Sequence, residues 1–421
     1  MKRTIAVFAA LLFCAAWAGA AAPSANENSI FKRSVEQYDS LLASWYKTNI
    51  NLSPEQFYDY FINIDSTAAP KSNIPDSVYI ARLKMIFSPI QMPYNEIVKR
   101  YLVVYTQSRK ETMGRILGLS QYYFPMIEQE LARYGIPLEM RMLPVIESAL
   151  NPTAISRAGA TGLWQFMYNT GRIYDLEVSS FIDQRCDPML STIAACRHLK
   201  DLYRMYGDWT LAISAYNCGA GNVNKAMRRA GDGAKTFWDI YPYLPRETRG
   251  YYPAFIAATY AYKFHQQHGI TPVAPPIPVT TDTVLVNRVM HLGQVASTLG
   301  LSMETLRELN PQYRLDVIPA VGQSYPLRLP VRDIPRFIDR QREIYAKDTI
   351  YLKEYFRSGK DLNAEVKKHV ATRLAYHKVR KGESLSTIAR KYHVTVTQLK
   401  SWNRLRNNTI RAGQTLRIQK R

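Results

Sequence analysis

Apolar residues recur at helical spacing between Ile97 and Tyr134. The members of this pattern are Val98, Tyr101, Leu102, Tyr105, Met113, Ile116, Leu117, Phe124, Ile127 and Leu131. Intervals of three and four residues place apolar side chains on one face of an α-helix. Gly135 is typical of a helix end and Pro137 of a first helical turn. Further helices are predicted over residues 191–206, 209–216 and 252–268. The stretch 97–268 is therefore predicted to be an all-α bundle.

The pattern changes after "VAPPIPVT", Val273 to Thr280, whose paired prolines predict an extended linker. Two later segments, 283–330 and 376–419, can be aligned with one another, for example "HLGQVA" with "SLSTIA" and "VGQ" with "AGQ". Each has the order strand, helix, helix, strand, so the chain contains an internal repeat. The stretch between them, 331–375, is charged and is predicted to be a helical linker.

The N-terminus has the pattern of a secretory signal peptide. Lys2 and Arg3 precede an apolar run that is too short to span a bilayer, and Ala18-Gly19-Ala20 resembles a cleavage site. We expect cleavage near Ala20 or Ala22, so that residues 1–22 are removed and 23–80 form an N-terminal extension. The mature protein is expected in the periplasm or cell envelope, with association with the outer membrane left open.

The cysteines leave two questions open. Cys14 offers lipid anchoring as an alternative to simple cleavage, but the bulky Phe13 before it disfavours this. Export permits disulfides, and three cysteines remain, Cys186, Cys196 and Cys218. We expect one disulfide and one buried thiol, with the pairing undetermined. No pair of Cys and His has zinc-type spacing, so neither a metal nor a cofactor is predicted.

The composition and the net charge of the chain indicate which kind of partner it binds. The 421 residues suffice for two or three domains, and 47% hydrophobic with 21% charged residues excludes wholesale disorder. Of the formal charge of +21, residues 376–421 contribute 12 Lys or Arg against a single acid, Glu383. A basic surface favours a polyanionic partner. For an exported protein this means cell-wall polymers or anionic lipids rather than nucleic acid.

Glu147 is the strongest candidate for a catalytic residue. It lies near the end of a predicted helix, 137–150, which Pro152 terminates, and its neighbours are apolar: "LPVIESALNP". The negative end of the helix dipole and the apolar surroundings both disfavour a carboxylate, so the pKa of Glu147 is predicted to be raised. An acid that stays protonated near neutral pH can act as a general acid.

Three further motifs supply candidate sugar-binding side chains. "SRAGATGLWQFM" contains Ser156 and Gln165, "ISAYNCGAGNV" contains Tyr216 and Asn217 at a helix end, and "PRETRGYYPAF" contains Tyr251. Tyrosine rings stack on sugars, and amides can hydrogen-bond an N-acetyl group. For each residue taken alone, packing in the core or an ordinary helix cap is an equally good explanation.

Taken together, these four motifs resemble those of the lytic transglycosylases, which have a goose-type lysozyme-like fold. The resemblance covers roughly residues 80–265, and 376–418 resembles a LysM module, a small βααβ domain that binds N-acetylglucosamine-containing glycans. It implies a mainly α fold with a catalytic domain at 81–270, a degenerate LysM-like module at 283–330 and a LysM module at 376–419. The implied partner is peptidoglycan, with peripheral association with the envelope membrane left open.

The resemblance also implies a reaction with one acid. Glu147 would protonate the glycosidic oxygen between N-acetylmuramic acid and N-acetylglucosamine, and would then accept the proton of the C6 hydroxyl as it forms a 1,6-anhydro ring. Ser156, Gln165, Tyr216, Asn217 and Tyr251 would orient the acid or bind sugars. Two alternatives stay open: a hydrolytic muramidase, for which Asp175 and Asp183 are the nearest second acids, and a glycan-binding wall protein with an inactive catalytic domain.

Overall fold

The computed structural model describes Gln56, Phe61, Ile62, Ile64 and residues 71–275, 280–352 and 374–419, the last range without 381, 393, 404 and 406. The predicted signal peptide, Cys14 and most of the predicted extension lie outside the described residues. Within these ranges, no helix combines the length and the apolar character that crossing a bilayer requires.

A helical region occupies residues 76–268 and confirms the predicted all-α bundle. Its α-helices are α1 (Asp76–Lys84), α2 (Glu96–Val103), α3 (Lys110–Arg133), α4 (Leu143–Ser148), α5 (Tyr168–Ile173), α6 (Pro188–Tyr206), α7 (Trp209–Cys218), α8 (Ala220–Ala230), α9 (Phe237–Ile240), α10 (Arg246–Arg249) and α11 (Tyr251–Lys263). A π-helical turn lies at Val104–Ser108, and 3-10 turns lie at Leu138–Met142, Tyr241–Tyr243 and Gln266–His268.

Side-chain caps explain where the helices begin. The Asp187 carboxylate accepts hydrogen bonds from the backbone N–H groups of Met189 and Leu190, both at 2.9 Å. Proline suits the first helical position, so α6 begins at Pro188, earlier than the predicted Ser191. In the same way, Asp208 caps α7 through the N–H of Leu211 at 2.9 Å.

Helix α11 forms the centre of the bundle. All of its residues from Tyr251 to Ala261 are buried, which is expected of a helix that is apolar on every side. It packs against α2, α4 and α7. This packing brings the first residue of α11 to the helix that carries Glu147.

The beginning of the predicted linker lies against α3. The N–H of Val273 donates a hydrogen bond to the carbonyl of Gly114 at 2.9 Å. A Cβ atom placed on Gly118 would lie 1.6 Å from the Val273 carbonyl oxygen, so only glycine permits this approach. Residues 276–279 are not described.

The first module, residues 280–352, contains the predicted strand, helix, helix, strand order. Its elements are β1 (Thr281–Val286), β2 (Met290–His291), α12 (Leu292–Leu299), α13 (Met303–Leu309), β3 (Val317–Ile318), β4 (Tyr325–Pro330), α14 (Ile334–Asp339), α15 (Gln341–Ala346) and α16 (Asp348–Tyr351). β1 pairs antiparallel with β4, and β2 with β3. Phe337, Ile344 and Tyr345 lie in the same core as Leu327. Residues 331–346, predicted as part of a linker, therefore pack onto this module.

The C-terminal module, residues 374–419, has the predicted βααβ order. Its elements are β5 (Leu374–Lys378), α17 (Leu385–Lys391), α18 (Val396–Asn403) and β6 (Thr415–Gln419). β5 and β6 pair antiparallel, with His377 opposite Leu416. Leu385, Ile388, Leu399 and Leu416 are among the buried residues of its core.

Candidate active site

Glu147 lies in the last turn of α4, as predicted, and the chain turns sharply after it. Ala149 and Leu150 both have positive φ, 53° and 61°. Such conformations cost non-glycine residues about 1–3 kcal/mol each and are concentrated at functional sites. The buried Ser148 hydroxyl donates a hydrogen bond to the carbonyl of Leu163 at 2.9 Å. The end of α4 is therefore held against the segment that follows it.

The Glu147 carboxyl is the titratable group of the site. It is partly exposed, while Val145 and Ile146 beside it are buried. The Tyr251 hydroxyl donates a hydrogen bond to Oε1 of Glu147 at 2.6 Å. Burial raises the pKa of Glu147 to about 7, and the Tyr251 hydrogen bond acts in the opposite direction. The predicted direction of the shift is confirmed, and at neutral pH both protonation states are populated.

The active-site loop, residues 153–167, is built largely from its own hydrogen bonds. Gln165 has a φ of 48°, and its side-chain nitrogen donates to the carbonyls of Ala154 at 3.0 Å and Gly162 at 2.8 Å. The Ser156 hydroxyl oxygen accepts the N–H of Ala160 at 3.1 Å. Both side chains thus shape the loop, and their predicted roles toward a sugar stay predictions.

Gly162 is expected to be the least replaceable glycine of this loop. Its φ is +88°, and a Cβ atom would lie 1.8 Å from the Arg185 carbonyl oxygen, whereas Gly159, with φ +83°, has no atom within 4 Å of that position. Gly162→Ala should lower the free energy of unfolding by about 3 kcal/mol or more, and Gly159→Ala by about 1–2 kcal/mol, the cost of the left-handed backbone alone. Thermal unfolding of both variants checks this. Equal losses would mean that packing against Arg185 does not constrain the loop.

Tyr216 and Asn217 lie at the end of α7, next to the loop. The Tyr216 hydroxyl donates a hydrogen bond to the Trp164 carbonyl at 2.8 Å. Burial raises the pKa of Tyr216 well above its ordinary value, and the charge of Glu147 acts in the same direction. Asn217 is partly exposed, and no described residue forms a hydrogen bond with its amide. Trp164 is fully buried and belongs to the core.

His198 packs beside Tyr216, a contact that was not predicted from the sequence. Its ring lies 5.3 Å from that of Tyr216, and its Nδ1 is 2.8 Å from the Tyr174 hydroxyl. Burial lowers the pKa of His198 to about 4, so the ring is neutral at physiological pH. A lone histidine on an amphipathic helix carries no signal that distinguishes it from a core residue. The structure gives it a packing role behind Tyr216.

Both acids considered as a second carboxylate are paired with arginine. Asp183 is buried and lies 2.8 Å from Arg185 and 2.7 Å from Arg314. Asp175 is exposed and lies 2.9 Å from Arg197. Within the described ranges, no three His, Cys, Asp or Glu side chains are arranged to hold a metal ion.

The expected disulfide is wrong: Cys186, Cys196 and Cys218 are all free thiols. Cys186 and Cys196 are buried, and burial raises the pKa of Cys196 to about 12. A thiol in such surroundings is unreactive because the thiolate is disfavoured. These two cysteines therefore behave as small apolar residues.

Three family profiles match the chain. Residues 125–238 match the transglycosylase SLT domain, 280–346 the LysM-like domain of lytic transglycosylase MltD, and 377–419 the LysM domain. Residues 125–238 therefore carry a transglycosylase SLT domain. Glu147 and the active-site loop lie inside the SLT match, and Tyr251 lies beyond its end.

A curated relative is similar to this protein over most of the chain. Membrane-bound lytic murein transglycosylase D from Escherichia coli is 29% identical over 338 residues, which cover 78% of this chain and 70% of the relative. A putative tributyltin chloride resistance protein from an Alteromonas species is 35% identical over 106 residues, covering 25% of this chain and 51% of that protein. The 70 kDa soluble lytic transglycosylase of Escherichia coli superposes with a TM-score of 0.30 at 16% identity, over 58% of this chain and 47% of its own.

Proposed function

We propose that this lytic transglycosylase cleaves the bond between N-acetylmuramic acid and N-acetylglucosamine in peptidoglycan without water. Its mature form acts in the cell envelope. The observation that carries the proposal is Glu147 itself: a partly exposed acid with a pKa of about 7 that bonds to Tyr251, while Asp175 and Asp183 are engaged by arginines.

The first step uses the protonated form of Glu147. It donates its proton to the glycosidic oxygen, the bond from that oxygen to the anomeric carbon of the muramic acid breaks, and N-acetylglucosamine leaves with a new hydroxyl. An acid whose pKa lies near the operating pH is well suited to this transfer. Positive charge develops on the sugar ring, and the newly formed carboxylate stabilises it.

The second step uses the carboxylate. The C6 hydroxyl of the same muramic acid attacks the anomeric carbon, and its proton passes to Glu147, which returns to its starting state. The product is a 1,6-anhydro ring, and no water is consumed. A hydrolase of the same fold would need a base for a water molecule, and the usual base is a second carboxylate. Tyr251 orients the acid, and Tyr216 and Asn217, at the end of α7, would line the sugar subsites.

Mass spectrometry of the products released from purified peptidoglycan tests this proposal. Anhydro-muropeptides, each lighter by one water than the hydrolysed form, are expected. Reducing ends would instead make the protein a muramidase. Wall binding without any product would make it a glycan-binding protein.

The C-terminal module is proposed to hold the enzyme on the wall. It contains an open cavity of about 690 Å³ with Lys378, Arg380 and Lys391 in its lining. The only acid of residues 376–421, Glu383, lies 2.7 Å from His377 Nε2 and accepts the N–H of Arg380 at 2.7 Å. With that carboxylate engaged inside the module, the surface is cationic and suits an anionic polymer.

Deleting residues 376–421 should therefore weaken wall binding more than it lowers turnover of soluble fragments, because tethering raises the local substrate concentration only on the polymer. Sedimentation with purified walls and fragment kinetics measure the two effects. Adding salt should weaken binding of the full chain more than that of the truncated chain. Equal losses of binding and of fragment turnover would contradict this division of labour.

A further inference from the structure

The first module is joined to the SLT domain through the bridging segment, residues 177–187. The N–H of Asp183 donates to the Gln312 carbonyl at 2.8 Å, and the N–H of Arg314 donates to the Phe181 carbonyl at 2.8 Å. Ile182 is buried in the core of the module. Tyr325 adds a hydroxyl contact to Glu177 at 3.2 Å. Paired backbone and a shared core make this a fixed junction.

Asp183 connects the two sides of this junction. It is 2% exposed and receives Nε and Nη2 of Arg185 at 2.9 and 2.8 Å, one on each oxygen. Nη2 of Arg314, from the module, reaches the same carboxylate at 2.7 Å. Two arginines that share one buried carboxylate have their positions set by it, since such bonds are short and directional.

Arg185, which binds Asp183, also binds the active-site loop. Its Nη1 donates to the carbonyls of Gly159 at 3.1 Å and Phe166 at 3.2 Å. Between these two positions, Leu163 and Trp164 offer the carbonyls that bind the hydroxyls of Ser148 and Tyr216. The path from the module therefore reaches Ser148, the residue that follows Glu147 in the chain, and Tyr216 at the end of α7.

A buried ion pair is seldom explained by stability alone, because apolar residues of similar volume often stabilise a fold as well. The Arg185–Asp183 pair makes contacts that apolar residues could not make. Arg185 binds the carbonyls of Gly159 and Phe166 in the active-site loop, and Asp183 binds Arg314 of the first module. Small displacements of positioning groups have large effects on rate.

We propose that Arg314 and Asp183 are positioning residues of the transglycosylase reaction. Through Arg185 they let the first module hold the active-site loop in its working conformation. The first module then supports the active site, in addition to being similar to glycan-binding domains. This inference rests on the proposed function of Glu147.

The test compares Arg314→Gln with Arg342→Gln in the full chain. The Arg314 side chain is 46% exposed, so its loss should not prevent folding, and Arg342 is an exposed arginine of the same module. Arg314→Gln should lower kcat on soluble fragments about tenfold with KM within about twofold, as loss of one charge-assisted hydrogen bond implies. Arg342→Gln should match the wild type, and Arg314→Lys should recover most of the loss because it keeps the charge.

Hydrogen exchange gives a readout that does not depend on activity. The N–H groups of Thr161, Gly162 and Phe166 are hydrogen-bonded within the active-site loop. Arg314→Gln should speed their exchange about tenfold, and Arg342→Gln should not. Tyr325→Phe, which removes the contact to Glu177, is a second variant and should speed exchange in the bridging segment.

The outcomes distinguish a failure of the positioning role of Arg314 and Asp183 from a failure of the proposed function. If Arg314→Gln and Arg342→Gln behave alike in both kcat and exchange, the positioning role is overturned. A lower kcat with unchanged exchange in the loop also overturns it, because Arg314 would then act on the substrate directly. If the wild type releases no anhydro products, the proposed function fails, and the exchange comparison still decides whether the module holds the loop.

Discussion

Replacing Glu147 by Gln is expected to lower kcat for release of anhydro-muropeptides by roughly 10³-fold while glycan binding stays within about twofold, since general acid–base groups contribute about 10²–10⁴. Glutamine has nearly the same shape and can still accept the Tyr251 hydroxyl, but it cannot donate and recover a proton. Product release is measured by mass spectrometry, and binding by sedimentation with purified walls. Glu111→Gln, on the exposed side of α3, is the matched control. Turnover that survives in Glu147→Gln would remove Glu147 from the reaction.

The same variant is expected to be more stable than the wild type at alkaline pH. Glu147 has a folded-state pKa of about 7 against an ordinary value of 4.5. The stability associated with its protonated form is fully present below pH 4.5 and is lost as the pH rises through 7, by about 3 kcal/mol in total. Unfolding of the wild type and of Glu147→Gln at pH 4 and pH 8 measures the difference. If the difference in the free energy of unfolding between the two proteins did not increase from pH 4 to pH 8, burial of the Glu147 carboxylate would cost little stability.

Much of this site could be predicted from local patterns in the sequence. The apolar neighbours of Glu147 and the Asn-Pro pair after it were enough to place the acid at a helix end and to predict the direction of its pKa shift. The βααβ order of the two modules was also accessible, because the two segments align with each other as an internal repeat. The features around Glu147 depend on residues within about one helical turn of each other.

The contacts that complete the site come from distant parts of the chain. Tyr251 is 104 positions from Glu147, and Arg314 is 131 positions from Asp183. No periodicity specifies such pairs, so Asp183 looked like a candidate acid although two arginines hold it. Gln165 was considered as a sugar ligand because an amide can hydrogen-bond an N-acetyl group, and its role toward a sugar stays a prediction. The sequence did not reveal that the same amide bonds to the carbonyls of Ala154 and Gly162.

Tyr251→Phe is expected to lower kcat roughly 10- to 100-fold, because a hydrogen bond to a charged group contributes about 1.5–3 kcal/mol. The Tyr251 hydroxyl donates to Oε1 of Glu147 at 2.6 Å and so favours the carboxylate. Without it, the pKa of Glu147 should rise further above 7. The alkaline limb of the pH profile, where activity falls as Glu147 loses its proton, should then move to higher pH. Profiles of kcat/KM on soluble fragments measure this shift.

Tyr252→Phe provides a matched control one position along α11. Its hydroxyl is also buried, but it donates to the Gln91 carbonyl and not to Glu147. This variant should lose stability and leave the alkaline limb in place. A limb that moves to lower pH in Tyr251→Phe would mean that Tyr251 stabilises the protonated acid, and the hydroxyl would then serve the first proton transfer rather than the second. If the alkaline limb moved by the same amount in both variants, the cause would be the packing of α11 and not the hydrogen bond from Tyr251 to Glu147.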